Sequence, residues 1–324
     1  MLYPLKFKPI YKSKLWGGHK IAKILNRNEV PEKCGESWEL SAIDGDESEV
    51  INGDLAGNTL SELLEIYMDE LVGKPTFEKY GNEFPLLIKF IDASDQLSIQ
   101  VHPDDETAKE RHHAYGKTEM WYVLQADKDA SIITGFNQSV DQERFQKALN
   151  DNTLESLLNI ETNISEGDVF YIPAGRIHSI GKGVLLAEIQ QSSDVTYRIF
   201  DWNRLDLDGQ PRELHTDLAL GVIDYNHYSS YKTTYDKTVN KTNKIVNSPY
   251  FKTNFLPFSY PVEKSFFKDD CFVIYIALEG DFEILYQGGQ TTVHQWEVVL
   301  IPADIPEFTL IPGARLVKVL EITV

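Results

Sequence analysis

This 324-residue chain has only two cysteines, Cys34 and Cys271, far apart and in no ligand-like spacing. That excludes a disulfide framework and a thiolate metal site, and it fits a reducing cytoplasm. Cations are also scarce: 31 lysines and arginines stand against 50 aspartates and glutamates, a formal charge of −19. Such a balance argues against nucleic acid or anionic membrane as a partner held by bulk electrostatics. It leaves room for a small anion bound by a few local cations. Long apolar runs are missing too. No stretch approaches the ~20 residues of a membrane span, and Met1-Leu2-Tyr3-Pro4-Leu5-Lys6 lacks the apolar core of a signal peptide. The expectation is a cytoplasmic chain with enough apolar residues, 42%, for two cores or one large one.

What is present is β texture. Short runs such as Glu36–Ser41, Pro85–Ile91, Glu119–Leu124, Val169–Ile172, Val184–Gln190 and Val195–Phe200 are broken by turn residues. That pattern indicates a barrel or sandwich rather than alternating βα units. Gly17-Gly18 reads as a turn. Two helical stretches interrupt the strands. One spans 58–73, capped by Asn58-Thr59, with Leu60, Leu63, Leu64, Tyr67 and Leu71 at helical spacing and Gly73-Lys74-Pro75 as its stop. The other spans 141–160 and carries Phe145, Leu149, Leu154, Leu157 and Leu158. Residues 201–250, rich in Tyr, Asn and Lys, read as a connector between domains. Beyond them Val299–Glu307 echoes Phe170–His178: a buried strand, an Ile-Pro-Ala turn, then a polar residue five positions past the proline. The expected division is a metal-binding domain over 1–240 and a second, ligand-free domain over 241–324.

The run Leu97-Ser98-Ile99-Gln100-Val101-His102-Pro103-Asp104 carries the first chemistry. Alternate strand side chains share a face, so Gln100 and His102 project together. Glu119 opens the next strand and His178 follows a Pro-Ala-Gly turn. An amide oxygen, a carboxylate and two imidazoles suit zinc, tolerate manganese, cobalt or iron, and leave a position open for a substrate oxygen. The plainer reading has His178 capping a turn, Glu119 paired with Lys117, and Gln100 and His102 hydrated; the four together favour the metal. His112 and His113 read as exposed, and Asp104-Asp105-Glu106 as an acidic helix N-terminus. Glu188 and Gln190 share one strand face, and Asp194, Thr196 and Arg198 share the next, so acids and a guanidinium can line the same interior. Lys89 either joins that cavity or extends to solvent.

These motifs resemble the type I phosphomannose isomerases (mannose-6-phosphate isomerases), in particular the short bacterial members built from two cupin domains. The likeness runs from Trp16-Gly17-Gly18 and Gly35–Ser41 through Phe84–Lys89, Leu97–Asp104, Gly116–Tyr122 and Pro173–His178 to Ser193–Arg198. It implies a mainly β fold of two cupin (jelly-roll β-barrel) domains with short helical insertions. It further implies one catalytic zinc per chain on Gln100, His102, Glu119 and His178, Arg198 as the catalytic arginine, and Lys89 and Ser98 near a sugar phosphate. The implied reaction interconverts mannose 6-phosphate and fructose 6-phosphate through a cis-enediol. Glu188, Asp194 and a metal-bound hydroxide are the candidate bases; Lys89 with Arg198 or Arg204 are the candidate phosphate cations. The chain departs from the long members at Ile180, where they carry tyrosine, and at Arg204, where they carry lysine. The expected state is a monomer or weak homodimer. A cupin that binds or senses sugar phosphates without turnover is the alternative, and another cupin enzyme, such as an oxygenase or epimerase, a further one.

Overall fold

The computed structural model describes residues 2–206 and 209–324. The chain divides into two compact units that interleave in sequence. One comprises residues 11–38 and 88–233; the other comprises the residues up to Ile10, residues 39–87 and residues 234–324. The fold is mainly β.

The first unit is built around a seven-stranded and a five-stranded sheet. The larger has the order Lys232–Thr233, Val169–Ile172, Glu119–Ala126, Val184–Gln191, Leu86–Ala93, Ile10–Gly18, Cys34–Leu40. The smaller has the order Leu158–Glu161, Ile132–Phe136, His178–Ile180, Ile99–Val101, Tyr197–Phe200. Their facing sides share one core containing Ile91, Trp121, Phe170 and Leu186 from the larger sheet and Ile132 and Ile180 from the smaller. The far side of the smaller sheet packs Ile99, Val101, Ile133, Tyr197 and Ile199 against Phe145 of helix Gln142–Asn150. Strand alternation therefore decides the site. Because Ile99 and Val101 point outward to the helix, Gln100 and His102 point inward. Glu119 shares a face with Trp121, Lys89 with Ile91, and Glu188 with Leu186.

The second unit repeats the arrangement with a six-stranded and a four-stranded sheet around Tyr275, Phe282, Val299, Phe308 and Val319. Its helix Leu60–Val72 starts at Thr59, whose side chain accepts from Glu62 N while Glu62 returns a bond to Thr59 N. Gly73 ends it at φ 85°, where a side chain would strike the backbone of Asp270. The sequence echo is matched in structure: Ile172 and Ile301 each precede the Pro-Ala turn, and His178 and Glu307 each open the following strand. The registers agree as well. Ile172 lies opposite Glu119 and Ile301 opposite Val273, while Trp121 pairs with Glu188 and Tyr275 with Glu321. Val273 thus occupies the place of Glu119.

Three expectations change. The 141–160 stretch is helical only over Gln142–Asn150; a 3-10 turn covers Leu154–Leu157, and Leu158–Glu161 is an edge strand. Asn152 at φ 56° breaks the helix. The 201–250 tract is more than a connector, for it holds helix Thr216–Leu220 and the edge strands Lys232–Thr233 and Asn243–Asn247. Gly17 and Gly18 end a strand instead of forming a turn. A Cβ on Gly18 would lie 2.6 Å from the buried Asp92 carboxylate.

Candidate metal centre

Three potential ligand residues converge inside the first unit: His102, Glu119 and His178, exposed by 1%, 0% and 0%, with donor atoms all within 4.8 Å of one another. His102 Nε2 is 3.4 Å from Glu119 Oε2, and His178 Nε2 is 3.5 Å from Glu119 Oε1. Ligands ~2.1 Å from a tetrahedral cation stand ~3.4 Å apart, so the pocket has the dimensions of a first-row metal site. The hydrogen bonding agrees. His102 Nδ1 lies 2.9 Å from Val195 O and His178 Nδ1 2.7 Å from Arg176 O. With those nitrogens donating, each Nε2 presents a lone pair inward. Among the described residues, His102 Nε2 and both Glu119 carboxylate oxygens are buried without a hydrogen bond, the Lys117 ammonium standing 3.4 Å from Glu119 Oε2. A cation is what such a set of atoms fits.

Electrostatics point the same way. Burial, then the charge of Glu188, pushes the Glu119 carboxyl up to about 8. Burial holds His178 down at about 3 and His102 well below the ordinary imidazole range. The pocket thus keeps both imidazoles neutral, as ligation requires, and makes an ionised Glu119 unfavourable even beside Lys117 and Lys89, until further positive charge is supplied.

Gln100 sits beside this trio, half-buried. Its Nε2 is 3.3 Å from His178 Nε2 and its Oε1 3.4 Å from Ser98 Oγ. Rotating the amide half a turn directs Oε1 at the trio, and the two orientations have the same shape. Ser98 is buried, and its hydroxyl donates to Gln100.

A second layer of charge lies on the adjoining strands. Lys89 is buried, 3.4 Å from Glu188 Oε1 and 4.0 Å from Glu36 Oε2, with its ammonium 5.0 Å from the Trp38 ring centroid. Trp121 Nε1 donates to Glu188 Oε2 at 2.8 Å and Trp38 Nε1 to Glu36 Oε2 at 2.7 Å. Burial opposes ionisation of Glu36, but Lys89 and Lys14 outweigh it and lower its pKa to about 2. Lys117 is buried 3.4 Å from Glu119. Burial works against its charge, yet Glu119, Glu188 and Glu36 raise its pKa.

The remaining sequence candidates lie further out. Arg198 is opposite Gln100 in the sheet register and so on the same face; its Nη1 donates to Glu213 O at 2.8 Å, and its Nε is buried without a hydrogen bond among the described residues. Asp194 is exposed, on the segment before strand Tyr197–Phe200. Arg204 donates to Asp201 at 2.7 Å and to Gln96 O at 2.6 Å. His112 and His113 are exposed, and Asp104 caps its helix by accepting from Thr107 N. Sequence reasoning passed over Glu36 and used Lys117 only as a pairing partner of Glu119 in the plainer reading. The available signal was Trp38, two residues from Glu36 on an alternating strand.

A family model described as phosphomannose isomerase type I, catalytic domain, matches residues 4–138. The chain is 36% identical over 313 residues to GmuF of Bacillus subtilis, a probable mannose-6-phosphate isomerase, with 96% of each chain covered. It is 36% identical over 252 residues to the mannose-6-phosphate isomerase of Streptococcus mutans, covering 78% of each. The crystal structure of the Bacillus subtilis mannose 6-phosphate isomerase superposes with a TM-score of 0.89 at 30% identity over 100% of both chains. Full-length similarity of this kind, together with a buried His-Glu-His cluster shaped for a cation, places the chain in the type I phosphomannose isomerase family of metal-dependent enzymes.

Proposed function

We propose that this chain interconverts mannose 6-phosphate and fructose 6-phosphate through a cis-enediol, with one zinc ion held by Gln100, His102, Glu119 and His178. The observation that carries the reading is the group of buried donor atoms on His102 and Glu119 that make no hydrogen bond among the described residues. Leaving such atoms unsatisfied costs roughly 1–3 kcal/mol each. A bound divalent cation supplies Lewis acidity toward a sugar carbonyl. The chain's own residues do the rest. Glu188 is the proposed base, because Trp121 and Lys89 hold its carboxylate in one orientation within a largely dry interior. Asp194, being exposed, is the alternative base at the rim. The Nε–H of Arg198, without a hydrogen bond among the described residues, is available to an oxygen that gains charge at the enediolate. Lys89, Ser98 and Arg204 are proposed for the sugar phosphate. On this reading both units are cupin jelly rolls, with catalysis in the unit of residues 11–38 and 88–233, inside the expected 1–240, and none in 241–324.

The test is conversion of mannose 6-phosphate by purified protein before chelation, after chelation and with zinc restored. Activity that disappears with the chelator and returns with zinc supports the proposal. A fully metallated protein that binds the sugar phosphate without turnover would overturn it in favour of a sensor.

A further inference from the structure

The three buried ligand residues meet at one turn. Pro173 to Arg176 closes on itself through Arg176 N, which donates to Pro173 O at 3.0 Å, with Gly175 at φ 84°. Gly175 N donates to His102 O at 2.9 Å. Ala174 N donates to Thr118 Oγ1 at 3.2 Å, next to Glu119, and His178 Nδ1 donates to Arg176 O at 2.7 Å. The imidazole of His178 is thus aimed by a carbonyl whose direction the turn sets.

A segment some fifty residues further along the chain holds this turn from outside. Asp224 N donates to Gly175 O at 2.8 Å. The Arg176 guanidinium, on a half-buried side chain, lies 4.7 Å from the Tyr228 ring centroid and 4.9 Å from that of Tyr231. The two rings stand at 71° to each other and make a corner for it. Planar guanidinium groups favour such aromatic faces. Each ring is tied at its hydroxyl. Tyr228 Oη donates to Asp224 Oδ2 at 2.8 Å; Tyr231 Oη accepts from Phe136 N at 3.1 Å and donates to Phe136 O at 2.9 Å. Phe136 ends the strand Ile132–Phe136, in which Thr134 is paired with His178. The contacts therefore close a circuit: from His178 through the turn to Arg176, through Tyr231 to the neighbouring strand, and back to His178.

We propose that Arg176 is a positioning residue for the metal centre, seated against Tyr228 and Tyr231 so that its turn keeps His178 and His102 oriented for ligation. The inference deepens the metal reading of the site and rests on it. Arg176→Gln should weaken zinc binding, measured by competition with a chromophoric chelator, roughly ten- to a hundredfold. It should also change the visible absorption of the cobalt(II)-loaded protein, which reports ligand geometry. Arg176→Lys, which keeps a cation against the rings, should recover part of the loss. A merely structural role lowers the melting temperature of chelated and zinc-loaded protein alike. That result, with zinc affinity and the cobalt spectrum unchanged, would overturn the proposal. Tyr228 is 42% exposed, so Tyr228→Ala decides the matter if Arg176→Gln does not fold. Weaker zinc binding by Tyr228→Ala than by Tyr228→Phe, which keeps the ring, supports the proposal; equal affinity in the two overturns it. A wild type that binds zinc without isomerising the sugar leaves this comparison intact and sinks only the isomerase reading. A wild type that binds no zinc sinks both.

Discussion

Glu119 should make the metal-free protein lose stability as pH rises, the reverse of an ordinary ion-paired carboxylate. In the fold its carboxyl is pushed from 4.5 to about 8, by burial first and by Glu188 second. A carboxyl raised in this way contributes stability fully below its unfolded value, and the contribution disappears as pH climbs through the folded one. Between pH 4.5 and 8 the loss is ~5 kcal/mol at ~1.4 kcal/mol per pH unit. His102 and His178, suppressed below 6.5, contribute the opposite slope: their stability is present above 6.5 and lost as pH falls. Only the part above pH 6.5, ~2 kcal/mol, belongs to Glu119 alone. With an unfolding entropy of ~0.7 kcal/mol/K for a chain of this length, that is ~3 °C in Tm. The assay is thermal melting of chelated protein from pH 6.5 to 8, alongside Glu119→Gln, which removes the ionisation and keeps the shape. Wild type should fall by about that amount relative to the variant, and restoring zinc should abolish the difference. Parallel curves for the two proteins would refute the reasoning.

Arg198→Ala should retain the metal, as read by elemental analysis, while kcat falls roughly 10²–10³-fold; near-normal turnover would remove it from the chemistry. Glu307→Ala should leave activity and metal content intact, because Glu307 is exposed and the unit that contains it has Val273 in the place of Glu119. A large loss there would mean that the second unit carries ligands.

Much of the site was legible because strands impose a two-residue period. Gln100 and His102, Glu188 and Gln190, and Lys89 all lie on the face that alternation assigns them. Depth was less legible. Asp194 precedes its strand by three residues, outside the ladder, where alternation no longer governs direction, and it is exposed. Lys117 also precedes a strand and is drawn inward by Glu119, a preference set by the charge of the finished pocket. The 141–160 stretch misled for a different reason. Leu154, Leu157 and Leu158 are buried against the same core as Phe145, so their hydrophobicity is genuine. Burial from a helix and burial from a short strand look alike over so few residues. The 201–250 tract reads as linker because its elements are edge strands and a short helix, which bury few side chains.

The register match between Trp121–Glu188 and Tyr275–Glu321 bears on whether the parts of such a pocket can be lost one at a time. In the second unit the carboxylate of Glu321 is still buried and still satisfied, accepting from Tyr275 Oη at 2.6 Å and Asn254 Nδ2 at 3.2 Å. At the ligand positions the counterparts are an apolar Val273 and an exposed Glu307. A lone glutamate at 273, without imidazoles or a cation, would be an uncompensated charge in a dry core, worse than none at all. Metal sites of this depth are accordingly all-or-nothing: a duplicated unit can carry the full set or shed it entirely, and intermediate sets are penalised by the fold itself.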